Sequence, residues 1–240
     1  MRMSPPALHR RVLAEFIGTG ALVAVIVGSG IRADLLSHDL GVRLLANAAA
    51  SAIGLGLIIA LLGPLSGAHL NPVVTLTEWW TTRPEGGGRD VAAYVAAQFA
   101  GAVAGALLAE AMFGRRPVTW STASLSAPHL LLGEFVATAG LVLLVQGLRH
   151  IGRSSLAPVA VAGYIGAAIW FTSSGSYANP AATVGRAFTD SFTGIAPSSV
   201  PGFVGAQLLG GAAGVLLAGV LYGTSRASGE PNPAGSRRTG

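Results

Sequence analysis

The stretch HLNPVVTL, residues 69–76, returns 108 residues later as YANPAATV, residues 177–184. Asn is a strong helix N-cap because its side-chain oxygen accepts from the free amides of the first turn. Pro is favoured at the next position because its missing N–H would have had no partner there. Each stretch therefore begins a helix, Pro72 to Trp80 in the first copy and Pro180 to Thr189 in the second. At 1.5 Å per residue each reaches roughly 13–15 Å, about half of a bilayer. A third Asn-Pro-Ala, Asn232 to Ala234, sits in a polar tail and reads as turn chemistry.

The surroundings are strongly apolar. Hydrophobic residues make up 51% of the 240, charged residues 10%, and the mean hydropathy is positive. Six runs of membrane length stand out: Val12 to Ile31, Leu44 to Gly63, Val91 to Ala109, Leu130 to Leu148, Leu156 to Thr172 and Val200 to Tyr222. Each is long enough to cross a hydrocarbon layer about 30 Å thick as a helix. The first is too long and glycine-rich for a cleaved leader and reads as a permanent span.

All fifteen basic residues are Arg. With six spans both termini share a side; ten Arg fall on that side and five on the other, which places both termini in the cytoplasm. The Arg are scattered over loops, so the high pI reflects orientation, and no nucleic-acid partner is expected. With no Cys there is neither disulfide nor thiolate metal site.

The Asn-Pro pair belongs to a larger repeat. EFIGT, Glu15 to Thr19, returns as EFVAT, Glu134 to Thr138, and QFAGAVAG, Gln98 to Gly105, returns as QLLGGAAG, Gln207 to Gly214. The order is kept at offsets of 119, 108 and 109 residues, so one half of the chain copies the other. Three spans per copy is an odd number, so the second copy enters from the opposite face, the inverted arrangement of many transport proteins. The glycines four apart are read as packing residues that let helix backbones approach.

Inversion has a geometric consequence. The two half-length helices enter from opposite faces and meet head to head near the midplane. Irregular backbone at that depth is tolerated only where protein or a water-filled cavity satisfies it, so a lumen is implied. Its lining would be the carbonyl groups of SGAHL and SGSYA, with Asn71 and Asn179 pointing amide donors inward. Both helix N-termini carry partial positive charge, so the centre repels cations and holds a neutral polar molecule by hydrogen bonds. The midplane residues are Asn71, Pro72, Val73, Asn179, Pro180 and Ala181.

SGAHLNPVVTL, NPAATV, the paired EFxxT and the paired QxxGxxxG together resemble the aquaporin, or major intrinsic protein, family over about Arg10 to Tyr222. The resemblance implies an all-α membrane protein: a right-handed bundle of six transmembrane helices plus two half-helices, normally a homotetramer in lipid with one pore per subunit. It implies passage of water or small neutral solutes and no cofactor. Pore diameter, lining hydrogen bonds and a positive barrier set selectivity in such channels. By the same resemblance Glu15 and Glu134 are buried acceptors for loop amides, a reading preferred to a proton relay. His69 is a cytoplasmic pore-lining residue, a role preferred to pH gating. Glu110, at the end of the third span, is expected at the interface.

The sequence departs from the family at the narrow filter. Carried over by spacing, three of its four positions are Ser51, Ser176 and Ala182; the last is nearly always Arg in the family. The fourth is Ile169 counted from Pro158 and Ala167 counted back from Asn179, and Ile169 is adopted. With neither aromatic ring nor guanidinium, the opening is expected to be wider and less polar than a water-only pore. The NPARD pattern of glycerol facilitators is absent, and NPAATVGRAFTDSFTGIAPSSVP resembles a bacterial subgroup associated with arsenic resistance. That likeness implies passage of undissociated trivalent arsenic acids or methylated relatives.

Arg186, four residues after Ala182, falls on nearly the same helix face one turn further out. It is read as an outer-vestibule residue supplying a displaced positive barrier; the plainer alternative is an ion pair with Asp190 at i+4. The expected organisation is a cytoplasmic segment over 1–9, a channel domain over 10–223 with repeats of about 10–114 and 129–223, and a disordered cytoplasmic tail over 224–240. The expected location is a bacterial plasma membrane. Other readings are a water-selective aquaporin, a non-conducting relative, and a coupled secondary transporter, which should carry ionisable midplane residues where this chain has Asn. Five dispersed His and no Cys do not make the convergent set an enzyme needs.

Overall fold

A computed structural model describes residues 6–82 and 87–223. Its helices are α1 (Leu8–Leu36), α2 (Leu40–Ser66), α3 (Pro72–Thr82), α4 (Gly87–Met112), α5 (Pro128–His150), α6 (Ala157–Phe171), α7 (Pro180–Arg186) and α8 (Val200–Tyr222). All but α3 and α7 are long and apolar enough to cross a membrane, α6 when the short 3-10 turn before it is included. There is no β-strand among the described residues. The tail over 224–240, with its third Asn-Pro-Ala, lies outside them.

Helices α1, α2, α4 and α5 run two to five residues beyond their apolar runs at each end, while α6 and α8 keep to theirs; local chemistry closes the ends of α2. Asp39 caps α2 by accepting from the Val42 amide at 2.8 Å. At the other end Gly67, at a φ of 88°, returns its N–H to the Gly63 carbonyl. Large apolar side chains such as Ile17, Leu57, Leu61, Val159, Leu216 and Val220 remain exposed on the outer faces, as a bundle solvated by lipid requires.

Within the bundle the repeat is visible as packing. A Cβ at Gly101 or Gly105 of α4 would collide with the carbonyl oxygens of Phe16 or Gly20 on α1. In the second copy, Gly210 and Gly214 of α8 meet the carbonyls of Phe135 and Ala139 on α5 in the same way. These approaches bring α1 against α4 and α5 against α8 at backbone distance.

The half-helices differ in length, at 11 residues for α3 and 7 for α7. From its sequence α7 is expected to continue to Thr189. It ends in a tightened turn, with Ala187 N–H donating to Val184 and Phe188 N–H to Gly185, and the carbonyls left free there are taken by another segment: Ser121 N–H donates to Ala187 and Thr119 N–H to Phe188. The Ile195 amide folds back onto the Arg186 carbonyl.

Candidate functional site

The loops leading into α3 and α7 share an unusual conformation. Ala68 and Leu70 in the first, and Ser176 and Ala178 in the second, have φ between 46° and 52°. Non-glycine residues hold such angles at a cost of roughly 1–3 kcal/mol each, so the surroundings must enforce them. Two carboxylates do so. Glu15 is fully buried and accepts from the amides of His69 (3.0 Å) and Leu70 (2.7 Å), from the Ser66 hydroxyl and from Gln98. Glu134, equally buried, accepts from the amides of Tyr177 and Ala178, both at 2.8 Å, and from Gln207. Gln98 and Gln207 also donate to Thr75 and Thr183, one turn into each half-helix. Each cage thus ties a carboxylate, a Gln and a Thr around one strained loop.

The two heads meet through crossed hydrogen bonds. Asn71 Nδ2 donates to the Ala178 carbonyl at 2.7 Å, and Asn179 Nδ2 donates to the Leu70 carbonyl at 2.8 Å. Their Oδ1 atoms cap the helices, accepting from Val73 N–H in one and from Ala181 and Ala182 N–H in the other. One hydrogen of each amide is therefore committed to the opposite loop. The second is what remains for the lumen.

A cavity of about 720 Å³ runs past this junction. Its lining includes Ser51, Ile169, Ser176 and Ala182, together with His69, Asn71, Asn179 and Arg186. Ala167 is absent from it. Pro72, Val73, Pro180 and Ala181 are buried behind the lining rather than in it. Glu15 and Glu134 act at one remove, through the loops. Ser51 and Ser176 are buried with hydroxyls that have no hydrogen-bond partner among the described residues. His69 is held by Thr75, 3.2 Å from its Nδ1, and edge-on against Tyr94. Val73 is accommodated by Gly211 of α8, where any Cβ would strike its side chain.

At one end of the cavity Arg186 does not pair with Asp190, whose carboxylate instead accepts from Thr122. Arg186 Nε donates to the Thr193 carbonyl, and its guanidinium carbon lies 3.3 Å from the centre of the Tyr177 ring.

Glu110, two residues from the end of α4, is 1% exposed, accepting from the Thr189 hydroxyl and pairing with Arg115 at 3.0 Å. Burial follows from the early end of α7, which brings Thr189 back onto α4. At the opposite end of the cavity, Glu78 of α3 pairs with Arg149 of α5 at 2.7 Å, and both line the cavity. Sequence reasoning missed this pair and Tyr177. The Thr of each cage had a signal, since Thr follows both Asn at the fourth position.

Comparison with known proteins agrees with this geometry. The family described as "Major intrinsic protein" matches residues 2–173; the match stops short of Asn179, where the internal repeat carries the correspondence. The chain is 47% identical over 203 residues to "Aquaglyceroporin AqpS" of Rhizobium meliloti, covering 85% of this chain and 86% of that one. It is 30% identical over 214 residues to "Probable aquaporin AqpM" of Archaeoglobus fulgidus, covering 78% and 86%. The X-ray structure of the aquaglyceroporin from Plasmodium falciparum superposes with a TM-score of 0.66 at 20% identity, covering 88% of this chain and 95% of that one.

Proposed function

The chain belongs to the major intrinsic protein family, and from that premise we propose that it conducts small uncharged solutes larger than water through a filter formed by Ser51, Ile169, Ser176 and Ala182. As a member it is an integral membrane protein and a passive channel for water and small solutes, not an enzyme. The observation that carries the finer reading is the lining itself: at those four positions there is no aromatic ring and no guanidinium. Ser51, Ser176 and Ala182 are all small side chains at the cavity wall, which leaves the lumen wide enough there for a neutral solute.

Undissociated trivalent arsenic acids and their methylated relatives are the solutes we assign. They are small, uncharged and hydroxyl-bearing, and residues 179–201 resemble the subgroup associated with arsenic resistance. Cations are excluded by the two half-helix N-termini at the midplane and by Arg186 in the outer vestibule. The protein works as a homotetramer in a bacterial plasma membrane, with one pore per subunit and both termini cytoplasmic.

Stopped-flow light scattering on proteoliposomes, with gradients of water, glycerol, urea and arsenous acid, tests the reading. Solute flux well above that of empty liposomes and indifferent to proton or sodium gradients is expected. Water flux alone would make the protein a water-selective aquaporin, and gradient-driven uptake would make it a coupled transporter.

A further inference from the structure

Tyr177 heads the second repeated stretch, where the first has His69, and it touches Arg186 together with the Thr193 and Gly194 carbonyls beside it. An arginine side chain carries about 2 kcal/mol of rotamer entropy, and a charge free to sweep through a vestibule or into bulk water makes a poor barrier. Arg186 is not free in this way. The face of the Tyr177 ring lies under its guanidinium at 3.3 Å, and Nε donates to the Thr193 carbonyl. The Tyr177 hydroxyl reaches the same carbonyl at 3.3 Å and that of Gly194 at 3.1 Å, and Thr193 and Gly194 both line the cavity. The ring is itself immobilised: it packs edge-on against Phe203, is clustered with Ala187 and Ile195, and its backbone amide is held by Glu134.

We propose that Tyr177 is a positioning residue for selectivity: its ring is the platform that holds the Arg186 guanidinium at the cavity wall, one helical turn from the small residue Ala182. This rests on the reading of Arg186 as the displaced positive barrier. A cation on an aromatic face is attracted by the ring quadrupole, more strongly where water is excluded. The small side chain of Ala182 leaves the lumen open at the level where the family carries its Arg. The platform therefore decides how far along the pore the barrier stands.

The test measures glycerol-to-water permeability ratio and proton leak in proteoliposomes; the ratio does not depend on how much folded channel each preparation contains. Arg186→Ala should raise both. Tyr177→Leu should move them in the same direction by roughly threefold or more, and the double variant should add nothing to Arg186→Ala, because residues acting as one unit are not additive. Tyr177→Phe, which retains the ring, should move them less than Tyr177→Leu.

If Arg186→Ala shifts the ratio and Tyr177→Leu does not, the platform is overturned and the barrier reading stands. If Arg186→Ala shifts nothing, the barrier reading falls and takes the platform with it. If Tyr177→Phe matches Tyr177→Leu, the effect belongs to the phenol and the ring stack is overturned. Should Tyr177→Leu fail to fold, phenylalanine analogues of increasing fluorination at 177 deplete the ring face at nearly constant shape. Leak that rises with fluorination supports the platform, and leak that ignores it overturns it.

Discussion

Glu134 shows how much of the pore rests on single buried groups. Its carboxylate serves two backbone amides and the Gln207 side chain, and Ala178, one of the residues it holds, has a φ of 46°. Glu134→Ala leaves all three donors without an acceptor, at about 1–3 kcal/mol each. The expected result is a strong loss of thermal stability in detergent. Glu134→Gln should fall short of the parent too, since it replaces an acceptor with an NH2 facing other N–H donors. Ala182 is the opposite case, a residue whose smallness matters. Ala182→Arg places a cation one turn below Arg186 on the same face, where like charges repel, and fills part of the lumen. Glycerol and arsenous acid permeability should fall several-fold more than water permeability; equal losses would take Ala182 out of the filter.

The half-helices are too short to be stable alone, because helices under about 12–15 residues are marginal in water even with favourable sequences. They depend on caps and partners. Asn179 supplies both, capping α7 through Ala181 and Ala182 and tying its head to Leu70. Asn179→Ala should cost about 1–2 kcal/mol for the cap and more for the cross-link, seen as a lower unfolding temperature together with raised ion leak. Longer helices depend instead on approach. Gly105→Leu would force α4 off the Gly20 carbonyl of α1, and the yield of folded protein in detergent should collapse. Much at this scale was legible: six spans, two half-helices and their caps followed from apolar run length and Asn-Pro chemistry. The ends were not. α7 ends at Arg186 in a tightened turn whose free carbonyls accept from residues 119–121, a contact between segments about 68 residues apart in sequence that no local pattern encodes.

At the scale of the molecule, inversion turns two copies of one pattern into a single pore. The Asn heads face each other, and the two carboxylate cages sit behind them as related structures. The pore is not symmetric at its ends. One mouth carries the Glu78–Arg149 pair and His69, the other Arg186 against Tyr177. Orientation therefore decides which chemistry meets which compartment. The chain has no Cys, so Ser126→Cys and Ser154→Cys provide single reporters in the α4–α5 and α5–α6 connections. In intact cells a membrane-impermeant maleimide should label position 126 and not 154; the reverse pattern would invert the assignment made from Arg counts.

The sequence by itself determined the class of molecule. Hydropathy set the spans, three spans per repeat set the inversion, and Asn-Pro at matching places set two helix starts at the midplane. These are properties of local composition and periodicity, which a chain carries wherever it folds. Tertiary structure alone decided what Arg186 does. From Asn179 YANPAATV continues through Val184 to Gly185 and Arg186, and along that run Asp190 is the natural partner. The partners it takes are the ring of Tyr177, nine residues earlier, and the carbonyl of Thr193, seven later. That choice depends on where the outer loop closes over the half-helix, and loop closure is set by packing against α1, α4 and α8, not by sequence neighbours.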